Sequence, residues 1–227
     1  MKEIVNLIRL DFICIRKKTL IPMLGGMIVF ALFGFFLAPE FMLSVIIFSG
    51  LFPYAMFTIS AKNNFNKLYG MLPVRRSSIV YARFILGALS IGVVSAVMIP
   101  ISYAAQLAGI YNEELVVMGN YGLSLIDQGT TCFVIICLFT AIQFSMVFIF
   151  GIERELLVSI ISTVIFILLI VLSVALGTDA VDKIIEVMGN LHDSNKPLFY
   201  IITYVSGLFA MFIFAMITGA VMKKREL

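Results

Sequence analysis

Apolar residues form six long runs along this chain of 227 residues, and short polar segments separate them. The runs cover residues 20–37, 41–59, 84–108, 129–150, 156–176 and 198–222. Each run is continuous rather than alternating, which favours a helix over a strand. Each also approaches the roughly 20 residues that a helix needs to cross the hydrocarbon of a bilayer. The pattern predicts an all-α polytopic membrane protein with six transmembrane helices in one domain, residues 1–227.

The composition agrees with a chain whose main solvent is lipid. Hydrophobic residues make up 62% of the sequence, charged residues 13%, and the mean hydropathy is +1.11. A soluble domain of this size cannot cover so much apolar surface. The six runs use nearly the whole chain, so we expect no separate soluble catalytic domain within it.

The first 19 residues are predicted to form an amphipathic helix that lies in the headgroup plane before the first span. The cations Lys2, Arg9 and Arg16 lie elsewhere on this helix. The apolar side consists of Val5, Ile8, Phe12 and Ile15.

Charge is distributed unequally between the two sides that six spans define. Fourteen of the sixteen Lys and Arg residues fall on the side of the two termini, and only Lys183 and Lys196 fall on the other. The positive-inside rule then places both termini in the cytoplasm. The fourteen are Lys2, Arg9, Arg16, Lys17, Lys18, Lys62, Lys67, Arg75, Arg76, Arg83, Arg154, Lys223, Lys224 and Arg225.

The net charge of +3 is therefore explained by topology and by attraction to anionic lipid, and we predict no nucleic-acid partner. The same topology gives a long cytoplasmic loop at residues 60–83 and a short one at residues 151–155. It also gives an outer loop at residues 177–197, in which a short connecting helix is predicted.

Motifs of enzymatic chemistry are missing from the sequence. It has no phosphate-binding loop, no H-E-x-x-H, no G-x-S-x-G and no Cys/His cluster. Its single histidine, His192, is predicted to be a solvated loop residue, and Cys14, Cys132 and Cys137 to be small apolar side chains. No ionisable residue falls near the middle of a predicted span, which argues against an intramembrane enzyme or a self-powered carrier. We predict no catalytic residue, no metal site and no cofactor in this chain.

Weaker polar groups do occur within the spans. One interpretation is a substrate pathway, and the other is helix packing in which hydroxyl and amide groups bond between helices. The two glutamines are the better candidates for a pathway because an amide is costlier to bury than a hydroxyl. The candidate pathway residues are Ser95, Ser102, Gln106, Thr140 and Gln143.

Small residues spaced by four allow helices to approach each other closely, but they are common in any membrane bundle and specify no particular contact. They occur as Ala88/Gly92/Ala96 in the third run and Ala215/Gly219 in the sixth. Pro53 and Pro100 interrupt the second and third runs, where each removes a backbone hydrogen bond and can kink its helix.

The loop at residues 60–83 combines an apolar ridge with cations. Its asparagines favour caps and turns, Pro73 forces the residue before it to be extended, and Ser77 can cap a new helix that leads into the third span. Phe65, Leu68, Tyr69 and Leu72 can share one side of a short surface helix. Such a ridge suits docking into a groove on a cytoplasmic partner. The alternative is that the arginines enforce topology and hold anionic headgroups.

Three segments, in this order and spacing, resemble the permeases of ABC-2 type transporters. In "LPVRRSSIVYAR" the matching positions are Leu72 to Arg76, Ile79, Val80 and Arg83, where the family usually has Lys at the last. "FIFGIERE" at 148–155 is similar to the short joint after the family's fourth span, although Glu155 stands where a basic residue is more usual. The tail "VMKKREL" is similar to the family's basic ending.

The resemblance implies a type V exporter-like fold in the bacterial cytoplasmic membrane. It implies two permease chains, identical or different, and a separate ABC ATPase that binds the ATP and Mg²⁺. The loop at residues 60–83 would carry the coupling helix that docks on this ATPase. The ATPase-coupling residues implied are Asn63, Phe65, Lys67, Leu68, Tyr69, Leu72, Pro73, Arg75, Arg76, Glu153 and Arg154.

The compact loops are similar to those of permeases that export amphipathic, antimicrobial or toxic peptides, including exporters of phenol-soluble modulins. Drug or lantibiotic resistance and lipid or polysaccharide export remain open. A membrane scaffold or sensor, whose basic loop binds a regulator without transport, is the alternative from another class.

Overall fold

The computed structural model describes residues 2–15, 25–29, 31–32, 45–46, 49–50, 57, 75–107, 125–151, 155–175 and 188–224. Within these ranges the regular structure is helical, with no strand. Five long helices carry it, and a short helix at residues 188–194 precedes the last of them. The long helices are α1 (Lys2–Ile15), α2 (Arg76–Leu107), α3 (Leu125–Phe150), α4 (Glu155–Ala175) and α5 (Lys196–Lys224).

Three of these helices are long and apolar enough to cross a membrane, at Arg76–Ala104, Ile126–Phe150 and Lys196–Lys224. They correspond to the third, fourth and sixth apolar runs, and α4 coincides with the fifth run. The first two runs lie largely outside the described residues. The helical class and the multi-pass membrane character are therefore confirmed, whereas the count of six spans stays a prediction.

The helix α3 is the central helix of the described bundle, since it packs against α2, α4 and α5. It runs parallel to α5, because Phe133 stacks on Tyr204 and, 12 and 14 residues further along the two helices, Ser145 bonds Thr218. Helix α2 runs antiparallel to both. Tyr81 near its start contacts Gly219 near the end of α5.

This topology gives the bundle two chemically different ends. The start of α2 and the end of α5 meet at one end, where Arg75, Arg76, Lys223 and Lys224 are exposed. We call it the basic end. The starts of α3 and α5 lie at the opposite end, with Asp127 and the short helix at residues 188–194. The separation follows the charge pattern from which the topology was predicted.

Aromatic rings fill the interior of the bundle. Phe133 and Phe144 of α3 are fully buried, and Phe144 meets Phe57 and Phe84 edge to face, with centroids 5.1 and 5.4 Å apart. Because lipid tails are as apolar as these rings, close packing rather than water exclusion favours this contact over lipid. The same packing explains why Gly87 lies opposite Phe144, since a Cβ there would stand 3.0 Å from its ring.

The helix α1 confirms the predicted amphipathic segment but buries a different face. Leu7 packs with Ala82 of α2 in a small apolar cluster that Ile4 and Ile8 flank. Val5, which was assigned to the apolar side, is instead 62% exposed. The helix thus holds one apolar strip against α2 and turns another outward, where an interfacial helix meets lipid.

Helix α2 begins at Arg76, one residue before Ser77, where the sequence predicts the cap of the helix that leads into the third span. The apolar run starts only at residue 84, but residues 76–83 are already helical and Arg83 is only 3% exposed. Its guanidinium lies over the Phe57 ring, 4.6 Å from the centroid. At the other end of the chain, the predicted outer loop at residues 177–197 contains the described helix at 188–194 and the start of α5.

Glycines on α2 and α5 offer a test of this packing. Gly207→Val should lower the free energy of unfolding by about 1–3 kcal/mol, because its Cβ would stand 3.0 Å from the buried ring of Phe133. Gly92→Val is the matched control, since nothing lies within 4 Å of a Cβ at that position. It should change stability by less than about 0.5 kcal/mol. Unfolding in detergent micelles measures both, and equal losses would contradict the described packing of α3 on α5.

Candidate coupling end and polar bundle interior

Two of the predicted coupling residues lie within the described part of the chain. Arg75 precedes α2 and Arg76 opens it, and both side chains are exposed at the basic end. The Arg75 carbonyl accepts the Ser78 N–H at 2.9 Å, so this residue caps the helix. The other predicted coupling residues lie outside the described residues: Asn63, Phe65, Lys67, Leu68, Tyr69, Leu72, Pro73, Glu153 and Arg154.

The two arginines stand at a helix end whose electrostatics is unfavourable to positive charge. The N-terminus of a helix carries positive partial charge and favours acidic side chains, yet the first turn of α2 has none. Arginines at this point are therefore not explained by the stability of α2. Their charge and exposure suit an interaction outside the bundle, with an anionic headgroup or a partner protein.

Helix α1 lies beside the same point. Its contact with α2 involves Ile79 and Ala82, one and two turns after Arg75. The exposed arginines therefore stand at a surface that α1 and the start of α2 build together. A force applied there would act on both helices, because their apolar side chains are packed.

Arg83 was not among the predicted site residues, although it is the most buried cation described. Its partner ring, Phe57, also meets Phe144 and Phe148 of α3 edge to face, at 5.1 and 5.2 Å. Arg83 thus joins α2 to the second apolar run, and through Phe57 to α3. The signal in the sequence was its apolar neighbours at helical spacing, Val80 and Gly87, which place it on an inward face.

The other predicted coupling contact follows the end of α3. Gly151 has a φ of +83° and its N–H donates to the Val147 carbonyl at 2.9 Å. A glycine in the left-handed region is a common helix C-cap because it lacks a Cβ. It ends α3 at the point where the "GIERE" joint begins, so it fixes the direction in which that joint leaves the bundle.

Four of the predicted pathway residues are buried in the bundle: Ser95, Ser102, Thr140 and Gln143. The fifth, Gln106, lies on the last turn of α2, and its side chain is outside the described part. Ser95 and Ser102 donate to the carbonyls of Gly92 and Ile99 on their own helix, at 3.0 and 2.9 Å. These two hydroxyls are therefore satisfied without a substrate.

Thr140 and Gln143 differ from the serines. The Thr140 Oγ1 and Gln143 Oε1 atoms are buried and have no hydrogen-bond partner among the described residues. They lie one turn apart on α3. Thr140 faces the second apolar run, since a Cβ at Gly50 would stand 2.9 Å from its Oγ1. A buried polar atom without a hydrogen-bond partner is costly. Of the polar groups described in the bundle, those on this turn of α3 are therefore the least explained by helix packing.

Polar groups also join helices within the bundle. Thr218 of α5 donates to Ser145 of α3 at 2.8 Å, and Ser145 in turn donates to the Ala141 carbonyl at 2.9 Å. Of the predicted pathway residues, Thr140 lies toward the second run, whereas Ser95 and Ser102 lie on α2 and bond their own helix.

The structure corrects the prediction for His192. Rather than standing in solvent, its Nε2 lies 3.1 Å from Asp127 Oδ1 across the opposite end of the bundle. The Tyr200 hydroxyl donates to the same oxygen at 2.9 Å. Asp127 stands two residues before the fourth apolar run, and Tyr200 lies 73 residues after Asp127, so sequence spacing did not indicate that the two would meet. Within the described ranges, no group of three His, Cys, Asp or Glu residues can hold a metal ion.

A family model described as ABC-2 family transporter protein matches residues 6–223. The chain therefore belongs to the ABC-2 transporter family, as a membrane transport component. Permeases of this family generally work with an ABC ATPase. Neither the curated proteins nor the solved structures contain a match to this chain.

The C-cap of α3 provides a test of how the short joint is positioned. Gly151→Ala should lower the free energy of unfolding by about 1–2 kcal/mol, because alanine is strained at a φ of +83°. Gly151→Asn should recover part of that loss, since asparagine tolerates the left-handed region. Thermal unfolding in micelles measures both variants. Equal stability of all three proteins would show that α3 does not end in this conformation.

Proposed function

We propose that this chain is the permease subunit of an ATP-driven exporter, powered by a separate ABC ATPase that docks on the loop at residues 60–83. Family membership supports the transport role. The observation that carries the coupling surface is the pair of exposed arginines, Arg75 and Arg76, at the start of α2. They oppose the dipole of their own helix and stand beside α1.

The orientation proposed is cytoplasmic for the basic end. Four exposed cations of α2 and α5 and of the residue before α2 lie there, whereas Asp127 and Asp193 lie at the opposite end. The positive-inside rule then places the loop before Arg75 on the side where ATP is available. The ATP and Mg²⁺ would bind in the partner ATPase and not in this chain.

The mechanism proposed uses α2 as the element that receives the force. Arg75 and Arg76 lead without interruption into a helix that ends at Leu107 and contacts both α3 and α5. Pro100 lies inside this helix and lacks the N–H that would bond to the preceding turn. Motion at the ATPase would therefore move the basic end of α2, and the helix can bend near its far end.

The substrate class proposed is amphipathic peptide. The interior is rich in Phe and Met, and adaptable thioether and ring surfaces suit apolar side chains of varied shape. The unpaired acceptors on Thr140 and Gln143 would take hydrogen bonds from the polar side of such a cargo. Either permease partner, a second copy or a different chain, would complete the transporter.

Co-purification with the ABC ATPase encoded beside this chain tests the coupling proposal. Arg75→Glu with Arg76→Glu should reduce recovery of the ATPase at least tenfold, because opposite charges would meet its docking groove. Lys223→Glu with Lys224→Glu is the matched control, with the same charge change at the same end. It should leave recovery within about twofold of wild type.

Three results would decide the matter. If recovery of the ATPase falls in the Arg75/Arg76 variant and not in the Lys223/Lys224 variant, the result supports a coupling element at the start of α2. Equal loss with both pairs means that net charge at the basic end, rather than a docking site, holds the ATPase. If no ATPase accompanies the wild type, the chain is better described as a membrane scaffold.

A second variant tests the cargo contact. Gln143→Met should leave the free energy of unfolding unchanged or raise it by about 1 kcal/mol, because the Oε1 atom has no donor to lose. Uptake of a labelled synthetic amphipathic peptide into inside-out vesicles should fall about tenfold, since removing one hydrogen bond to a cargo is worth about that factor. Ser102→Ala is the control, since its hydroxyl bonds its own helix. A large loss of stability in Gln143→Met with normal uptake would assign Gln143 to packing instead.

A further inference from the structure

The contact between Arg83 and Phe57 joins the two ends of the long basic loop. Phe57 lies near the end of the second apolar run, three residues before the loop at residues 60–83, and Arg83 is the last residue of that loop. The guanidinium carbon of Arg83 stands 4.6 Å from the centroid of the Phe57 ring. The contact therefore closes the loop at its base.

Both partners of this contact lie in the interior of the bundle. Arg83 is 3% exposed and Phe57 is 5% exposed. The Phe57 ring also meets Phe144 and Phe148 of α3 edge to face, at 5.1 and 5.2 Å. On the other side, Val80 lies one turn before Arg83 on α2 and is fully buried. The guanidinium therefore lies over a ring whose position the surrounding packing already determines.

The chemistry of the pair makes the contact directional. Arginine keeps its charge when it is buried, and a cation within lipid is costly unless surrounding groups stabilise it. The face of a phenylalanine ring attracts a cation, because the quadrupole of the ring is negative there and positive at the edge. If α2 slid along the second run, the guanidinium would leave the ring face and lose that stabilisation. Apolar packing, by comparison, is non-directional.

Arg76 stands on the same face of α2 as Arg83. Seven residues separate the two, which is two helical turns and a length of about 10 Å along the axis. Arg76 is exposed at the basic end, whereas Arg83 is buried. A displacement at Arg76 therefore reaches Arg83 through two turns of continuous helix, and through Arg83 it reaches the second run.

We propose that Arg83 is a positioning residue that holds the start of α2 against the second run, so that both ends of the loop at residues 60–83 move as one body. The role rests on the proposed function, in which this loop docks on the ABC ATPase. Because Arg83 is buried, it acts through Phe57 and not by contact with the ATPase. Without the contact, a displaced loop would move α2 along the second run instead of moving both against α3 and α5.

A fluorine label on the Phe57 ring tests the contact in the chain alone. The full-length chain with para-fluorophenylalanine at position 57 is purified in nanodiscs, and its fluorine NMR spectrum is recorded. Arg83→Met should shift the resonance, because a cation no longer lies over the ring face. Lys223→Met is the matched control and should leave the resonance in place, since Lys223 is an exposed cation at the same end of the bundle.

Transport by the complex with the ABC ATPase encoded beside this chain tests the positioning role. The measured quantities are recovery of the ATPase, its rate of ATP hydrolysis, and uptake of the labelled synthetic amphipathic peptide into inside-out vesicles. In Arg83→Met, recovery and ATP hydrolysis should match wild type. Peptide uptake per ATP hydrolysed should fall about tenfold, the factor to which a desolvated contact between a cation and a ring corresponds. Lys223→Met should behave as wild type in all three measurements.

Thermal stability separates a positioning role from a purely structural one. Replacing a buried charge by an apolar side chain of similar volume is often neutral or stabilising, so Arg83→Met should melt no lower than wild type. Arg83→Lys is the second variant. It keeps the charge, but its compact ammonium lacks the planar group that stacks on a ring, so only part of the uptake should return.

Four results would overturn the proposal. An unshifted fluorine resonance in Arg83→Met would show that the guanidinium does not lie over the ring. Normal uptake per ATP in that variant would show that α2 and the second run move together without the contact. Loss of ATPase recovery, as in the Arg75/Arg76 variant, would assign Arg83 to docking. A lower melting temperature with equal losses in ATP hydrolysis and uptake would make Arg83 an ordinary structural residue.

Failure of this proposal is distinguishable from failure of the proposed function. If no ATPase accompanies the wild type, the proposed function fails, and the coupling role of Arg83 fails with it. If the ATPase accompanies both wild type and Arg83→Met and uptake per ATP is the same in both, only the role of Arg83 fails.

Discussion

The ring of Phe144 is the contact on which the described packing depends most. It is fully buried and meets Phe57 of the second run and Phe84 of α2 edge to face. In a soluble core the exclusion of water drives packing, whereas in lipid helices associate by close packing. A ring that fills the space between three helices therefore contributes much to their association. Gly87 leaves room for this ring, and Phe57, held by it, lies under the guanidinium of Arg83.

The burial of Arg83 follows from the same contact. An arginine within a membrane bundle is expensive unless its charge is met by surrounding groups. The face of Phe57 supplies part of this stabilisation, because its ring quadrupole attracts a cation. The Phe144 cluster therefore has two effects. It sets the spacing of the helices, and through Phe57 it holds the charge of Arg83 at its buried position on α2.

The sequence predicted what depends on local pattern. Continuous apolar runs located α2, α3, α4 and α5 to within a few residues, except that α2 starts before its run, at Arg76. It starts there because a helix can continue through a polar stretch once α1 and Phe57 cover the side chains at Ile79, Ala82 and Arg83. That cover is a tertiary contact, which periodicity does not contain.

The site residues show the same difference between what local sequence pattern predicts and what depends on tertiary contacts. Ser95 and Ser102 were read as buried polar groups, and their bonds to their own helix follow from sequence spacing. The pairing of Asp127 with Tyr200 and His192 depends on the parallel course of α3 and α5, so it was missed. The small-residue positions also differ, because Gly219 lies against the Tyr81 ring, whereas no described atom lies within 4 Å of a Cβ at Gly92.

The distribution of bonds between helices determines how this bundle can deform. Helices α3 and α5 are joined near the basic end by Ser145 and Thr218, midway by the stacked rings of Phe133 and Tyr204, and at the far end by Asp127 and Tyr200. Such a pair, bonded along its length, moves as a unit.

Helix α2 contacts the same pair through apolar packing. Apolar surfaces slide past one another without leaving a polar group unpaired, whereas each hydrogen bond within lipid must be exchanged for another. Under the proposed coupling, a displacement of the start of α2 would therefore meet less resistance between α2 and the α3–α5 pair than within that pair. Separation of the far ends of α3 and α5 would in addition require release of the contacts at Asp127, which accepts the Tyr200 hydroxyl and lies 3.1 Å from His192 Nε2.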